Sequence, residues 1–137
     1  MSAGATPGPA VPGDDSSERW AREAALAAHD KQGDETVIFR VGPVLAVAEQ
    51  FVITSASNTR QVRAITEEVE HRIASLGGPK PRRVEGLDDL RWVLLDYGDF
   101  VVHVFLDETR RYYDLERLWA DAPRVAWQPA TDAGQPT

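Results

Sequence analysis

Two acidic residues on either side of a turn are the first candidates for chemistry in this chain. Asp96 and Asp99 flank the dipeptide Tyr97-Gly98. Two neighbouring carboxylates can hold a magnesium ion for nucleotidyl transfer. However, enzymes of that class usually carry a Gly-Ser turn ahead of an Asp-x-Asp strand, and no Gly-Ser pair precedes these acids. Aspartate at the shoulder of a turn is ordinary turn chemistry, so the pattern favours a structural role over a metal site.

The three histidines do not indicate a second site. His103 lies inside an apolar run typical of a strand, and the sequence places no Ser, Cys or Asp to act with it. We therefore expect a hydrogen-bonded histidine within a sheet. His29 and His71 are predicted on polar helix faces, and the chain has no cysteine. We expect no catalytic residue, no metal site and no cofactor.

Large aromatic residues in an acidic setting are the remaining candidates. Trp92 falls in a predicted strand, where packing in the core is at least as common as exposure. Tyr112, Tyr113 and Trp119 follow the last strand beside charged residues, so part of each ring is expected to be exposed. Partly exposed aromatic rings are typical anchors for a protein partner.

The charge of the chain is unevenly distributed. The formal net charge is -7. Residues 36–84 contain seven basic and four acidic residues, whereas residues 85–121 contain four basic and ten acidic ones. The acidic half repels phosphate, so direct binding of nucleic acid through it is not expected. It would attract a basic protein, although such acidity is also typical of a surface that only maintains solubility.

The chain has the length of one domain. Residues 1–15 and 122–137 are rich in small residues and proline, so we predict disordered tails on either side of a folded domain over 16–121. No apolar run reaches the roughly 20 residues that a membrane span needs. The N-terminus lacks the pattern of a signal peptide. We therefore expect a cytoplasmic protein that does not bind a membrane.

Two helices are predicted ahead of the acidic half. The first spans about 17–32, with Trp20 and several alanines on one face. The second is capped by Ser57 or Asn58, with Gln61 placed to complete a capping box. Its apolar residues recur every three or four positions and form one stripe. The stripe consists of Val62, Ile65, Val69, Ile73 and Leu76.

The predicted strands are short apolar runs, except for an edge strand over 81–86, where proline and two arginines discourage further pairing. They cover 37–41, 51–54, 81–86, 91–95 and 100–106, whereas 44–48 fits either a strand or one helical turn. The last two runs are almost continuously apolar, so both faces of these strands are expected to be covered. A short helix from about residue 114 would close the fold. The order of elements predicts an α/β fold, a single compact domain with a mixed sheet flanked by helices.

The last two strands are predicted to form a hairpin. If Tyr97-Gly98 is a two-residue loop, Leu94 pairs with Val101 and Trp92 pairs with His103. Gly98 would then adopt the positive φ that such a loop requires.

The chain resembles the RsfS or Iojap family of ribosomal silencing factors over about residues 17–121. The matching pieces occur in the family's order and spacing. They are Val84-Glu85-Gly86, Trp92, Asp96-Tyr97-Gly98-Asp99, Val102-His103-Val104-Phe105, Arg110-Arg111, Tyr113, Leu115-Glu116 and Leu118-Trp119, with a weaker match over 51–53 and 57–62. The chain departs from the family at Arg40, where Asp is usual, and at Ala56, where Gly is usual.

The resemblance implies a nucleotidyltransferase-like fold and a translation repressor without enzymatic activity. It implies binding to the large ribosomal subunit through a basic ribosomal protein, number fourteen of that subunit. The bound factor would sterically block joining of the small subunit when nutrients are scarce, as in stationary phase. Two other functions stay open, a metal-dependent nucleotidyltransferase and a ribosome-assembly scaffold without anti-association activity. A homodimer is also compatible with the sequence.

We assign hypothetical roles to the matched residues on this basis. Apolar contact with the partner would come from Trp92, Tyr113, Leu115 and Trp119. Pairing with lysines or arginines of the partner would come from Asp96, Asp99 and Glu116. Orientation of this surface from within would come from His103 and Arg111.

Overall fold

The fold begins with a helix and two strands, continues with a second helix and three strands, and ends with two short helices. The computed structural model describes residues 11–42 and 48–129, with side chains from residue 17 onward. The helices are α1 (Val11–Asp30), α2 (Thr59–Ser75), α3 (Asp107–Tyr113) and α4 (Leu115–Leu118). The strands are β1 (Asp34–Arg40), β2 (Gln50–Ala56), β3 (Arg83–Glu85), β4 (Trp92–Asp96) and β5 (Phe100–Leu106). In the described ranges, no helix is long and apolar enough to cross a membrane.

The five strands form one mixed sheet in the order β1-β2-β5-β4-β3. β2 and β5 are parallel, and every other neighbouring pair is antiparallel. The parallel pair lies in the centre, and α2, β3 and β4 provide the crossover between its two strands. The predicted α/β fold with a mixed sheet and flanking helices is confirmed.

The back face of the sheet is covered by α1 and α2. The alanines of α1 are fully buried, because a helix with such small side chains can approach a sheet and a second helix closely. The predicted stripe of α2 is buried as well, except for Leu76, which is 45% exposed just beyond the last turn. Ile38, Val52, Val93 and Val102 are among the strand residues that complete this main core.

The start of α2 agrees only partly with the predicted capping box. The side-chain oxygen of Asn58 accepts a hydrogen bond from the Gln61 N–H at 2.8 Å, which confirms Asn58 as the cap. The Gln61 side chain does not reach back to the cap. It donates instead to the carbonyl oxygens of Lys31 and Gln32, at 2.9 and 3.0 Å. The residue thus joins α2 to the turn that ends α1.

The register predicted for the β4–β5 hairpin is wrong by two residues. Leu94 pairs with His103 instead of Val101, and Trp92 pairs with Phe105 instead of His103. The reason is a longer connection, because four residues separate the last paired positions instead of two. A shift of two residues keeps every side chain on its expected face.

The tail predicted from residue 122 is partly ordered against the sheet. Residues 123–127 run along the free edge of β1, where the Arg40 N–H donates to the Pro123 carbonyl at 2.8 Å. The Trp127 indole N–H donates to the Thr36 carbonyl at 3.0 Å. The prediction failed here because the partner of this segment is a strand more than 80 residues earlier in the chain.

The ends of the predicted domain also differ from the observed ones. α1 begins at Val11, ahead of the predicted start. Residues 1–10, 130–137 and 43–47 lie outside the described residues. The predictions of disordered tail over the first two stretches, and of a strand or helical turn over most of 44–48, therefore stay predictions.

Candidate functional site

The front face of the sheet, opposite α1 and α2, is only partly covered. A small second core of Phe39, Val41, Ile53 and Phe105 lies there under α3, α4 and the residues that follow. Trp92, Leu94 and Val101 are half-exposed on this face. This corrects the expectation that both faces of β4 and β5 are covered, because the two short C-terminal helices are too small to span the sheet.

Aromatic rings form a continuous cluster on the front face. We call Phe51, Trp92, His103, Tyr113 and Trp119 the aromatic patch. The Trp92 ring centroid lies 5.0 Å from that of Tyr113 and 6.0 Å from that of His103. Phe51 lies 4.8 Å from His103 and 5.5 Å from Trp119. Tyr113 is 54% exposed, whereas the two tryptophans are half-buried, so the patch has both a packed base and a free surface.

His103 is buried in the middle of this patch. It is 4% exposed, and its Nδ1 accepts a hydrogen bond from the Trp92 indole N–H at 3.1 Å. The predicted hydrogen-bonded histidine in the sheet is therefore confirmed. Burial lowers the pKa of His103 to about 4, because a charged imidazolium would lose its hydration there. The ring is neutral near pH 7 and is held in place by Trp92.

The arginine that orients the surface from within is Arg110, not the predicted Arg111. Arg110 is buried, whereas Arg111 is exposed. α3 starts directly after β5, so position 110 faces the sheet edge and the next residue, about 100° further round the helix, faces solvent. The guanidinium of Arg110 donates to the carbonyls of Asp34 and Glu35 at 2.9 and 2.7 Å. It thereby fixes α3 to the start of β1.

Glu116 is already paired within the chain. Its two carboxylate oxygens accept hydrogen bonds from Arg110, both at 3.0 Å. Each oxygen can accept a further hydrogen bond, so the expected contact of Glu116 with a partner stays a prediction. Glu116 serves to position α4, which packs Leu115 and Trp119 against the second core.

Asp96 and Asp99 have the turn chemistry predicted for them. Asp96 Oδ1 accepts a hydrogen bond from the Gly98 N–H at 2.8 Å, and Gly98 has the expected positive φ of 91°. The other oxygen of Asp96 lies 3.6 Å from Arg83. Asp99 is exposed in the same turn. Within the described ranges, no group of three or more His, Cys, Asp or Glu residues is arranged to hold a metal ion.

Several residues of the front face were not recognised in the sequence. Phe51, Leu94 and Val101 line a cavity of about 360 Å³ together with His103. Leu118 is 71% exposed on α4. The alternation of side chains along β2, β4 and β5 could have indicated that these residues lie on one face of the sheet. Both faces of these strands are mostly apolar, however, so the sequence does not show which face is exposed to solvent.

The predicted contact residues are therefore divided by the fold. Trp92, Tyr113, Leu115 and Trp119 gather on or beside the front face, with His103 beneath them. Asp96 lies on the same face near the β4–β5 turn. Arg111 is exposed on α3, and Glu116 is paired with Arg110 on α4.

The sequence and fold were compared with those of known proteins. A sequence model of the family described as "Ribosomal silencing factor during starvation" matches residues 14–137. Ribosomal silencing factor RsfS of Bacillus subtilis (strain 168) is 41% identical over 100 residues, which cover 73% of this chain and 84% of the relative. The RsfS of Halalkalibacterium halodurans is 40% identical over 102 residues, covering 74% and 86%.

Solved structures agree with this relationship. A crystal structure of a Bacillus halodurans protein superposes with a TM-score of 0.69 at 34% identity, covering 80% of this chain and 98% of that one. A protein from Chromobacterium violaceum gives a TM-score of 0.72 at 27% identity, covering 82% and 92%. The resemblance carried by residues such as Trp92 and Leu118-Trp119 thus extends over about four fifths of the chain in structure and over residues 14–137 in sequence, and the chain belongs to the RsfS family of ribosomal silencing factors.

Proposed function

We propose that this protein binds the large ribosomal subunit through the front face of its sheet and blocks joining of the small subunit. Membership of the ribosomal silencing factor family supports an action on the ribosome. The choice of the front face as the binding surface rests on the aromatic patch, whose exposed surface is available for another protein.

The chemistry of the front face suits a basic protein. Its centre is aromatic, and interfaces are enriched in Trp and Tyr at the positions that contribute most of the binding free energy. Exposed acidic residues lie near this centre, with Asp99 in the β4–β5 turn and Glu108 on α3. We propose ribosomal protein number fourteen of the large subunit as the partner, since ribosomal proteins are commonly basic and acidic side chains would guide them to this face.

The mechanism requires only affinity and bulk at the subunit interface. A protein of 137 residues bound where the small subunit must dock prevents joining by occupying the space. No chemical step is needed for this. In the proposed role the protein acts on cytoplasmic ribosomes when nutrients are scarce, and translation falls because fewer subunits join.

Association of purified ribosomal subunits tests the proposal. Increasing amounts of the protein are mixed with large subunits before small subunits are added, and joined ribosomes are measured by sucrose-gradient sedimentation. The expected result is a loss of joined ribosomes that saturates as the large subunits become occupied. Unchanged joining at a saturating concentration would contradict the proposal.

Two matched leucine substitutions locate the surface. Leu118→Glu places a charge on α4 beside the aromatic patch, at a side chain that is 71% exposed. It should weaken binding to large subunits without unfolding the protein. Leu76→Glu makes the same change at a 45% exposed leucine after α2, on the helical side, and should leave binding unchanged. Equal effects of the two variants would remove the front face from the interface.

A further inference from the structure

Two buried N–H groups on the front face have no hydrogen-bond acceptor among the described residues. They are Nε2 of His103 and Nε1 of Trp119. Each belongs to a ring packed against the half-exposed ring of Phe51. Buried polar groups are nearly always paired, and an exception calls for an explanation.

We propose that the protein bound to the front face supplies a backbone carbonyl oxygen to His103 Nε2–H, which makes His103 a specificity-determining residue of the docking surface. This inference rests on the proposed function, because it requires a protein partner on this face. It adds the chemical group that the partner must present.

The hydrogen bond from Trp92 decides which nitrogen of His103 carries the proton. An indole N–H can only donate, so His103 Nδ1, which lies 3.1 Å from it, must accept. An accepting nitrogen carries no proton. A neutral imidazole has one N–H, and it must therefore be at Nε2. The burial that keeps the ring neutral maintains this arrangement at pH 7.

The position of the ring makes Nε2 the outermost polar atom of the side chain. Side chains stand roughly perpendicular to a sheet, and Nε2 is further than Nδ1 from the point where the imidazole joins the chain. His103 also lines the cavity of about 360 Å³ on the front face. Its walls include Phe51, Leu94 and Val101, which are half-exposed. Because Nε2 itself is buried, binding of a segment requires one of these half-exposed side chains to change rotamer.

The surrounding charges favour a carbonyl over a carboxylate as the acceptor. Asp96 lines the same cavity, and Glu85 lies on the adjacent strand. Arg83 also lines the cavity, where it is paired with Glu85 at 3.0 Å and lies 3.6 Å from Asp96, and Arg82 lies beside Gly98 at the rim. The two arginines and the two acids cancel, so the cavity has no net positive charge to attract a carboxylate, whereas a neutral backbone carbonyl needs none. The partner therefore offers a loop or strand edge with a free carbonyl.

Two amide substitutions separate this role from a purely structural one. In Gln the side-chain nitrogen reaches the place of His103 Nε2, so His103→Gln keeps a donor toward the partner. In Asn the side-chain oxygen takes the place of Nδ1, so His103→Asn keeps the acceptor for Trp92 but has no donor at the outer position. Affinity for purified large subunits is measured for both variants by cosedimentation, with thermal unfolding as a check on folding. His71→Asn, at an exposed position of α2, is the control.

The order of the affinities decides the outcome. We expect His103→Gln to bind within about 3-fold of the wild type, and His103→Asn to bind about 10-fold more weakly or worse because the partner's carbonyl stays unpaired. If His103 only holds Trp92 in place, His103→Asn will bind large subunits more tightly than His103→Gln. The inference then fails, while the proposed function stands. If the wild type does not bind large subunits, the proposed function itself fails.

The tautomer of His103 can be measured on the wild-type protein. Nitrogen-15 NMR of the histidine side chains distinguishes a protonated ring nitrogen from an unprotonated one. The free protein should show Nε2 of His103 protonated and Nδ1 unprotonated at pH 7. The opposite tautomer would overturn the inference, even if both amide variants failed to fold.

Discussion

Arg110 and Glu116 form a two-bond ion pair across the turn between α3 and α4, with Nε–Oε1 and Nη2–Oε2 distances of 3.0 Å. Asp114 makes this turn possible because its backbone is left-handed, with φ 48° and ψ 49°. Arg110 is also bound to the start of β1 and to Ser55 Oγ at 2.9 Å. One buried guanidinium therefore determines where α4 lies on the sheet.

Replacing Arg110 with Met should strongly destabilise the protein. The change leaves Glu116 and the carbonyls of Asp34 and Glu35 without their donor. Breaking a fully buried ion pair in this way costs about 3–5 kcal/mol. Glu116 keeps some contact with water, so we expect a loss of about 3 kcal/mol, at the lower end of that range, which urea denaturation would measure. Arg111→Met is the control, and at this exposed position it should change the free energy of unfolding by no more than about 0.5 kcal/mol. Similar losses in the two variants would contradict the role assigned to Arg110.

The buried His103 should make stability depend on pH. Its pKa is about 4 in the folded protein, compared with 6.5 for a free histidine. Between these values the unfolded chain binds a proton that the folded chain does not, so stability falls as pH is lowered from about 6.5 to about 4. The full loss from this group is about 3 kcal/mol, and it is absent above pH 6.5.

Urea denaturation at several pH values measures this effect. In His103→Gln the same titration is missing, so the difference in stability between the wild type and the variant should shrink or reverse as pH falls. Carboxylates titrate in both proteins and largely cancel in the comparison. A difference that stays constant from pH 7 to pH 4 would show that His103 does not behave as a buried neutral base.

Removal of residues 123–137 should expose the edge of β1. The deleted segment includes the hydrogen bonds of Pro123 to Arg40 and of Trp127 to Thr36. An uncovered strand edge pairs readily with another chain, so we expect concentration-dependent self-association in analytical ultracentrifugation. Trp127→Phe is the milder control, which loses one hydrogen bond at a cost of about 1 kcal/mol and keeps the edge covered. A truncated protein that stays at the wild-type sedimentation rate would contradict this.

Gly86→Ala should lower the free energy of unfolding, because the backbone of β4 lies very close to Gly86. Gly86 has a φ of 93°, and an added Cβ would meet the backbone carbonyl oxygen of Trp92. The backbone of β4 must shift, and we expect a loss of about 2–4 kcal/mol together with altered tryptophan fluorescence. Gly77→Ala is the matched control, since Gly77 has a φ of 82° but open space around the added methyl. It should cost about 1 kcal/mol, and equal losses would show that the contact with Trp92 has no effect.

Most helix and strand positions followed from local patterns in the sequence, although α3 was not predicted. The stripe of α2 and its Asn58 cap were predictable because both depend on residues within a few positions of each other. The positive φ of Gly98 was predictable for the same reason. The hairpin register was not, since a loop of two residues and one of four are both compatible with Asp-Tyr-Gly-Asp, and only pairing with β5 selects between them.

The candidate site was predictable in its residue types but not in its geometry. Trp92, Tyr113 and Trp119 could be identified as possible anchors because they are large aromatics in an acidic segment. Their division into packed and exposed surfaces depends on how α3 and α4 lie on the front face. Arg110 and Arg111 are adjacent and chemically identical, so the sequence offered no local reason to place one inside.

By itself the sequence determined most of the elements, their order and the family, because periodicity, caps and spaced motifs are properties of short segments. The tertiary structure alone decided that the front face is partly open, that Arg110 is buried and that residues 123–127 cover β1. Each of these depends on contacts between segments far apart in the chain. Such contacts form only when the sheet brings those segments together, so no local pattern records them.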